Sequence, residues 1–393
     1  MLEKLEPRSP DALLALIKMH ADDPRGNKID LGVGVYRTND GRTPVFEAIK
    51  AAETALVAEQ DSKSYLGPEG DLGFVHALMP YIFGDNATQG GRIEGMQTPG
   101  GTGAVRLAAA VAKQAGVTRV HMGVPSWPNH AQILQDLSLE LVPFDHATPD
   151  GTADVEVVLD VIAQAREGDA VLLHGCCHNP TGIDYTQDDW DAIADALAKS
   201  EALAILDSAY QGLGRGLEED AYGVRRVVGT LDEVLVAYSC DKNFGMYRDR
   251  VGALYVKAAS SEGLDPILSN LNALARASWS MPPDHGGAAV RMVLRDEERT
   301  QMWLDELATM RERMRNVRQR LAAADGGAPG LNLAALGEQN GLFAMLPLDK
   351  AQIKRLREEH GVYMAGSGRI NIAGLHDGNI DAFVMALAAV GNS

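Results

Sequence analysis

The 393-residue sequence is short of cysteine, of positive charge and of long apolar runs. Its three cysteines include the adjacent pair Cys176 and Cys177, and there is no CxxC pair. An odd number with a vicinal pair is a poor disulfide framework, so a reduced, cytoplasmic setting without structural zinc is expected. Only 36 basic residues face 54 acidic ones, a formal charge of −18. That balance argues against nucleic acid and anionic membrane as partners. No run of about 18 apolar residues occurs, so no membrane-spanning helix is expected. The opening "MLEKLEPRSPDALLALIKMH" lacks a long apolar core before a small-residue cleavage site, so no signal peptide is expected. Repeats and low-complexity segments are also missing.

What is present is 46% hydrophobic residues, ample for a large core, in a length that suits two or three domains. "RVHMGVP", "DAVLLHGC", "ALAILDSAY", "EVLVAYS" and "RVGALYVKA" read as short buried strands. Helical patterns such as "TQDDWDAIADALAKS" lie between several of them. The alternation predicts an α/β fold with a mostly parallel sheet covered by helices on both faces. Ser9-Pro10-Asp11 signals a helix start. From Asp296 the texture changes. Trp303, Leu307, Met310, Met314, Val317 and Leu321 mark one long amphipathic helix ending near Gly326, Gly327 and Pro329. Its arginines, Arg311, Arg313, Arg315, Arg318 and Arg320, read as a solvated face. Residues 1–40 are expected to pack with a smaller C-terminal unit, 301–393, beside a large unit, 41–300.

Five motifs carry chemistry. "AYSCDKNFGMYRDRVG" places Lys242 just past a buried strand, with Arg250 eight residues on. A lysine there is a surface group, or a Schiff-base nucleophile if burial or cations lower its pKa. In "ILDSAYQG", Asp207 ends an apolar strand and Tyr210 follows. Such a carboxylate caps a helix or meets a buried cation, for instance a protonated pyridine nitrogen. "TPGGTGAV" is a glycine turn before a helix, a candidate phosphate site; "RIEGMQ" before it is a weak strand, which counts against a Rossmann-type nucleotide site. "LLHGCCHNPTG" holds His174 and puts Asn179 before Pro180; its His and Cys spacing fits no standard metal pattern. "SGRINIAG" offers Arg369, a surface ion-pair partner or a carboxylate clamp.

Together these motifs resemble the fold-type I pyridoxal-phosphate enzymes, and more narrowly the aspartate/aromatic amino-acid aminotransferases. "KIDLGVGVYR", "YLGPEGD", "PSWPNH", "GLEEDA" and "HGCCHNPTGID" strengthen the likeness, which runs nearly end to end. The resemblance implies a large cofactor-binding domain with a seven-stranded sheet and a smaller α+β domain built from both termini. It also implies a homodimer with shared active sites, acting on amino acids and 2-oxo acids by alternating half-reactions.

In that likeness Lys242 would hold the cofactor's aldehyde and then shuttle the substrate proton. Asp207 would pair the pyridine nitrogen, with His174 supporting it from behind. Tyr210 and Asn179 would hold the ring's phenolic oxygen, and Trp127 would stack on the ring. Gly101, Thr102, Ser239 and Arg250 would take the phosphate, with Tyr65 reaching it from the partner subunit. Arg369 would clamp the substrate α-carboxylate beside Gly34, and Arg276 from the partner would meet a side-chain carboxylate. The chain departs from the family pattern at Cys240-Asp241, at Trp279 and at Met281. Asp241 adds a carboxylate near the phosphate, expected to raise the lysine pKa or weaken phosphate binding unless it points away. Trp279 and Met281 make the pocket near Arg276 greasier, so aromatic substrates beside dicarboxylic ones are expected. Strict aspartate selectivity is the alternative, and a pyridoxal-phosphate lyase or decarboxylase a more distant one.

Overall fold

A computed structural model describes residues 2–6, 12–85, 90–324 and 331–391. Its centre is a seven-stranded sheet. From edge to edge the order is Ile93–Pro99, Val251–Lys257, Val234–Ser239, Leu203–Ser208, Asp169–His174, Arg119–Val124 and Glu140–Asp145. Val251–Lys257 runs antiparallel to both neighbours, and every other pairing is parallel. Two antiparallel steps restore direction, so Ile93–Pro99 points the same way as the parallel strands. The central strands Val234–Ser239 and Asp169–His174 are buried at every position. Helices on both faces require that, and it explains their unbroken apolar sequences.

Two strands escape the expected pattern. "RIEGMQ" is not weak: Ile93–Pro99 is a seven-residue edge strand that runs directly into helix Gly100–Gln114. Its polar look has a local cause. Gly95 lies opposite Tyr255, and a Cβ on it would sit 2.5 Å from that ring, so the Tyr255 ring takes the place of a side chain there. At the other edge Glu140–Asp145 carries Pro143, tolerable only where a strand has one partner.

The smaller α+β part draws on both ends of the chain. Ile29–Asp30 pairs in parallel with Val362–Tyr363, and Arg369–Asn371 pairs antiparallel with Phe343–Met345. Tyr363 Oη donates to Asp23 at 2.6 Å, and Arg25 donates to the Arg357 carbonyl at 2.8 Å. The long helix spans Glu297–Ala323, its first turn capped by the Asp296 carboxylate, and all six residues of its predicted stripe are buried. The helix-start signal at residues 9–11 and the expected helix end at 326, 327 and 329 fall outside the described residues.

The arginine face of that helix is not simply solvated. Arg318 is buried and donates to the carbonyls of Asn340, Gly341 and Phe343 at 3.0, 2.9 and 2.7 Å. Arg311 reaches the Gly212 carbonyl and Arg313 that of Leu375. Arg320 pairs with Asp377 and Asp381, and Arg315 stays exposed. Periodicity marks a polar stripe, but a guanidinium with five donors satisfies loop carbonyls as readily as water. The helix thus ties the smaller part to the loop that holds Gly212. Among the described residues no helix is long and apolar enough to cross a membrane.

Candidate active site

The parallel strands and Ile93–Pro99 all end on one side of the sheet, and the predicted chemistry sits there. Asp207 and His174 stand opposite each other near two strand ends, and Ser239 and Thr98 both face Gly252. Ligands of open α/β sheets bind at such carboxyl ends. After Ser239 the chain makes a tight turn, with Gly245 N–H donating to the Lys242 carbonyl at 3.0 Å. Gly245 has φ 67°, a conformation that favours glycine. Phe244 is buried and stacked on Trp303, ring centroids 4.4 Å apart, and Trp303 Nε1 donates to the Asn243 carbonyl. The turn is therefore pinned from below, and Lys242 points into a cavity.

That cavity has a volume of about 180 Å³. It is lined by Gly34, Gly101, Thr102, Trp127, His174, Asn179, Asp207, Tyr210, Lys242 and Arg250, together with Ala209, Asp241 and Tyr247. Burial holds the Lys242 amine below its ordinary pKa; Asp241 and Asp207 pull it up, and Arg250 pushes it down. Its Nζ lies 5.2 Å from the Tyr210 ring centroid.

One end of the cavity is built around Asp207. Burial alone would raise its pKa, but the hydrogen bond from His130 and the neighbouring charges outweigh that and hold it below the usual carboxylate range. His130 Nε2 donates to Asp207 Oδ2 at 2.9 Å, since a carboxylate only accepts. The tautomers then follow in a row. Ser126 Oγ donates to His130 Nδ1, His174 Nε2 donates to Ser126 Oγ, and His174 Nδ1 accepts from Asn179 N–H. The residue behind Asp207 is therefore His130, not His174. His174 lines the cavity one step further along the row, and burial lowers its pKa to about 3. His130 belongs to the first turn of helix Pro128–Asp136, whose Pro128 sets the start. It lies 77 residues from Asp207, and nothing in the spacing announces it. Tyr210 Oη accepts from Asn179 Nδ2 at 3.3 Å, while buried Asn179 Oδ1 finds no donor among the described residues. That orphan acceptor is suited to a further polar group in the cavity.

The other end is an anion cradle. Helix Gly100–Gln114 begins here with Gly100, Gly101 and Thr102, and its free N–H groups and dipole favour negative charge. Gly101 is needed for closeness, because a Cβ there would lie 2.8 Å from Ser239 Cβ. Ser239 is buried, and its Oγ accepts from Asp241 N–H at 3.2 Å. Arg250 lies against Gly100 and pairs with Asp241, which points in rather than away.

Arg369 stands above the cavity, 4.6 Å from the Phe343 ring centroid, and donates to the Gly32 carbonyl at 3.0 Å. Its buried Nε has no acceptor among the described residues. A Cβ on Gly34 would meet Phe343 at 2.8 Å, so the glycine keeps this entrance open. Tyr65 and Arg276 do not join the cavity. Tyr65 is 93% exposed, and Arg276 is exposed and donates to Ser280. They are nevertheless close in the fold, because Leu66 N–H meets Met281 Sδ at 3.1 Å. Cys176, Cys177 and Asp220 bring possible metal donors within 4.8 Å of one another, but Asp220 already accepts from the N–H groups of Gly212, Gly214 and Arg215.

The opposed charges at the two ends, with an amine between, fit a molecule carrying a protonated ring nitrogen, an aldehyde and a phosphate. Comparison with known proteins agrees. The model of "Aminotransferase class I and II" matches residues 26–387. The tyrosine aminotransferase of Rhizobium meliloti (strain 1021) is 47% identical over 95% of this chain and 96% of its own length. The aspartate aminotransferase of Escherichia coli (strain K12) is 39% identical over 99% of this chain and all of its own. Among solved structures, the aromatic-amino-acid aminotransferase of Burkholderia pseudomallei covalently bound to pyridoxal phosphate superimposes with a TM-score of 0.96 at 32% identity, covering 100% of this chain and 99% of that one.

Proposed function

The chain belongs to the class I and II aminotransferases and is a pyridoxal-phosphate-dependent transaminase, and we propose that it serves both dicarboxylic and aromatic amino acids, with a 2-oxo acid such as 2-oxoglutarate as acceptor. The observation that carries the site assignment is the placing of the Lys242 amine between buried Asp207 and the Arg250 cradle. Bound pyridoxal phosphate supplies an electron sink next to the substrate Cα. The residues do the rest. Lys242, whose amine burial holds below its ordinary pKa, would hold the aldehyde carbon and then move the proton from Cα. Asp207 stays ionised and pairs the ring nitrogen, with His130 fixing its orientation. Tyr210 and Asn179 hold the phenolic oxygen, and Trp127 covers the ring. Gly101, Thr102, Ser239 and Arg250 receive the phosphate. Arg369 clamps the α-carboxylate beside Gly34.

Tyr65 and Arg276 lie outside their own chain's cavity, which supports a homodimer in which each serves the partner's site. Arg276 then meets a side-chain carboxylate, while Trp279 and Met281 beside it offer apolar surface to an aromatic ring. The test is kcat/KM for aspartate and phenylalanine with 2-oxoglutarate in one assay. Values within about a hundredfold, roughly 2.7 kcal/mol, support dual use. A far larger lead for aspartate makes the enzyme aspartate-selective. Failure of both substrates overturns the substrate reading.

A further inference from the structure

The anion cradle contains a carboxylate that an incoming phosphate must meet. Asp241 is buried. Its Oδ2 pairs with Arg250 Nη1, and its Oδ1 accepts from Val251 N–H at 3.2 Å. Arg250 is held there twice over: its Nη1 also donates to the Tyr247 carbonyl at 3.1 Å, and its backbone adopts φ 55°, which few residues other than glycine take up. A Cβ built on Gly100 would lie 2.7 Å from Arg250 Nη2 and 3.2 Å from Asp241 Oδ2. The ion pair therefore rests on the first residue of helix Gly100–Gln114, so Asp241 already engages the arginine that stands beside the helix start.

We propose that Asp241 is a resident competitor for the cofactor's phosphate site, so that the cofactor loads together with a proton taken up by Asp241. This rests on the reading of the cavity as a pyridoxal-phosphate site. A phosphate dianion and a carboxylate cannot share one arginine without repulsion, and protonating the carboxyl removes it. The groups facing Asp241 are few. Lys242, Cys240 and Tyr247 come from its own turn, Arg250 from the segment leading into strand Val251–Lys257, and the helix N-terminus from the opposite side. Of these side chains only Lys242 and Arg250 can carry positive charge, and the cofactor engages both. In the free protein burial already raises the Asp241 carboxyl above its ordinary value, with Lys242 and Arg250 pulling against it. A second anion pushes in the same direction as burial. Protonated Asp241 becomes a hydrogen-bond donor to the phosphate, and Arg250 is released to it.

The experiment measures binding of pyridoxamine phosphate, which has no aldehyde for Lys242, to cofactor-free protein. Tryptophan fluorescence reads the affinity, because Trp127 lines the cavity. Calorimetry in two buffers of different ionisation enthalpy counts protons. Wild type is compared with Asp241→Asn, which keeps the shape and the acceptor for Val251 N–H, and with Asp241→Ser. Ionisation of the ligand is common to all three and cancels in ratios. The expected result is tighter binding by the variants, about tenfold or more near pH 8. The advantage shrinks as pH falls and Asp241 protonates, and wild type takes up a proton that the variants do not. Equal affinities and equal proton counts, or weaker binding by both variants, overturn the proposal. If none of the three proteins binds pyridoxamine phosphate, the cofactor reading itself fails and takes the proposal with it.

Discussion

Two buried aspartates, one at each end of the lysine cavity, face cationic or hydrogen-bond-donating neighbours and titrate in opposite directions. Asp207 is held below the usual carboxylate range, because the hydrogen bond from His130 and the nearby Lys242 amine together outweigh burial. Asp241 is held above it, although Arg250 and Lys242 are nearby, because burial outweighs them. Burial by itself therefore does not decide ionisation. What differs is what lies behind each carboxylate. Asp207 is backed by a row of donors and acceptors in which each ring nitrogen has a partner. Asp241 is backed by one arginine and one N–H group, and the arginine is one that a ligand anion also claims. One end is prepared for a cation, and the other must be changed to admit an anion.

The largest effect is expected at His130. His130→Ala removes the donor from an ionised buried carboxylate, and kcat/KM should fall by about 10- to 100-fold. His174→Ala acts through Ser126 and should cost several-fold less, since Asp207 keeps its own hydrogen bond. Steady-state kinetics on both variants decide the order of the row; a larger loss at His174 would show that the row is read in the wrong direction.

A smaller effect appears in stability. Burial pushes His174 and His146 down to about 3 and about 4, well below the ordinary imidazole range. Below about pH 6.5 the unfolded chain takes up protons on these imidazoles that the folded chain refuses. Stability is fully present above that pH and declines as pH drops toward 4, by up to about 1.4 kcal/mol per pH unit for each histidine. Thermal unfolding of the cofactor-free protein measures it. A melting temperature that stays flat from pH 7 to pH 5 would mean that these rings are not held neutral.

The architecture was legible where strands are buried on both faces. Val234–Ser239, Leu203–Ser208 and Asp169–His174 are written as largely apolar runs, with Asp207 at the end of one and Lys242 and Asn179 in the turns after the others. It was less legible at the edges, where one partner suffices. Gly95 under a tyrosine ring hid one edge strand, and Pro143 hid the other. The residue backing Asp207 was misassigned because several histidines stand near it. Only the fold shows that His130 reaches the carboxylate while His174 stops at Ser126. Arg318 was misjudged for a related reason: a polar stripe on a helix looks the same whether it meets water or the carbonyls of a loop. The odd residue Asp241 was visible as a letter, but its inward direction was not.

The most direct test of the site is a half-reaction. The purified protein, loaded with pyridoxal phosphate, is mixed with L-aspartate or L-phenylalanine without any 2-oxo acid, and its absorbance is followed. The band of the lysine-bound cofactor should give way to that of pyridoxamine phosphate with both amino acids. In Lys242→Ala the lysine-bound band is absent, and conversion slows by more than about 10⁴-fold. Wild-type protein that does not convert, or a Lys242→Ala variant that converts at the wild-type rate, would contradict the assignment of Lys242 and with it the account of the cavity.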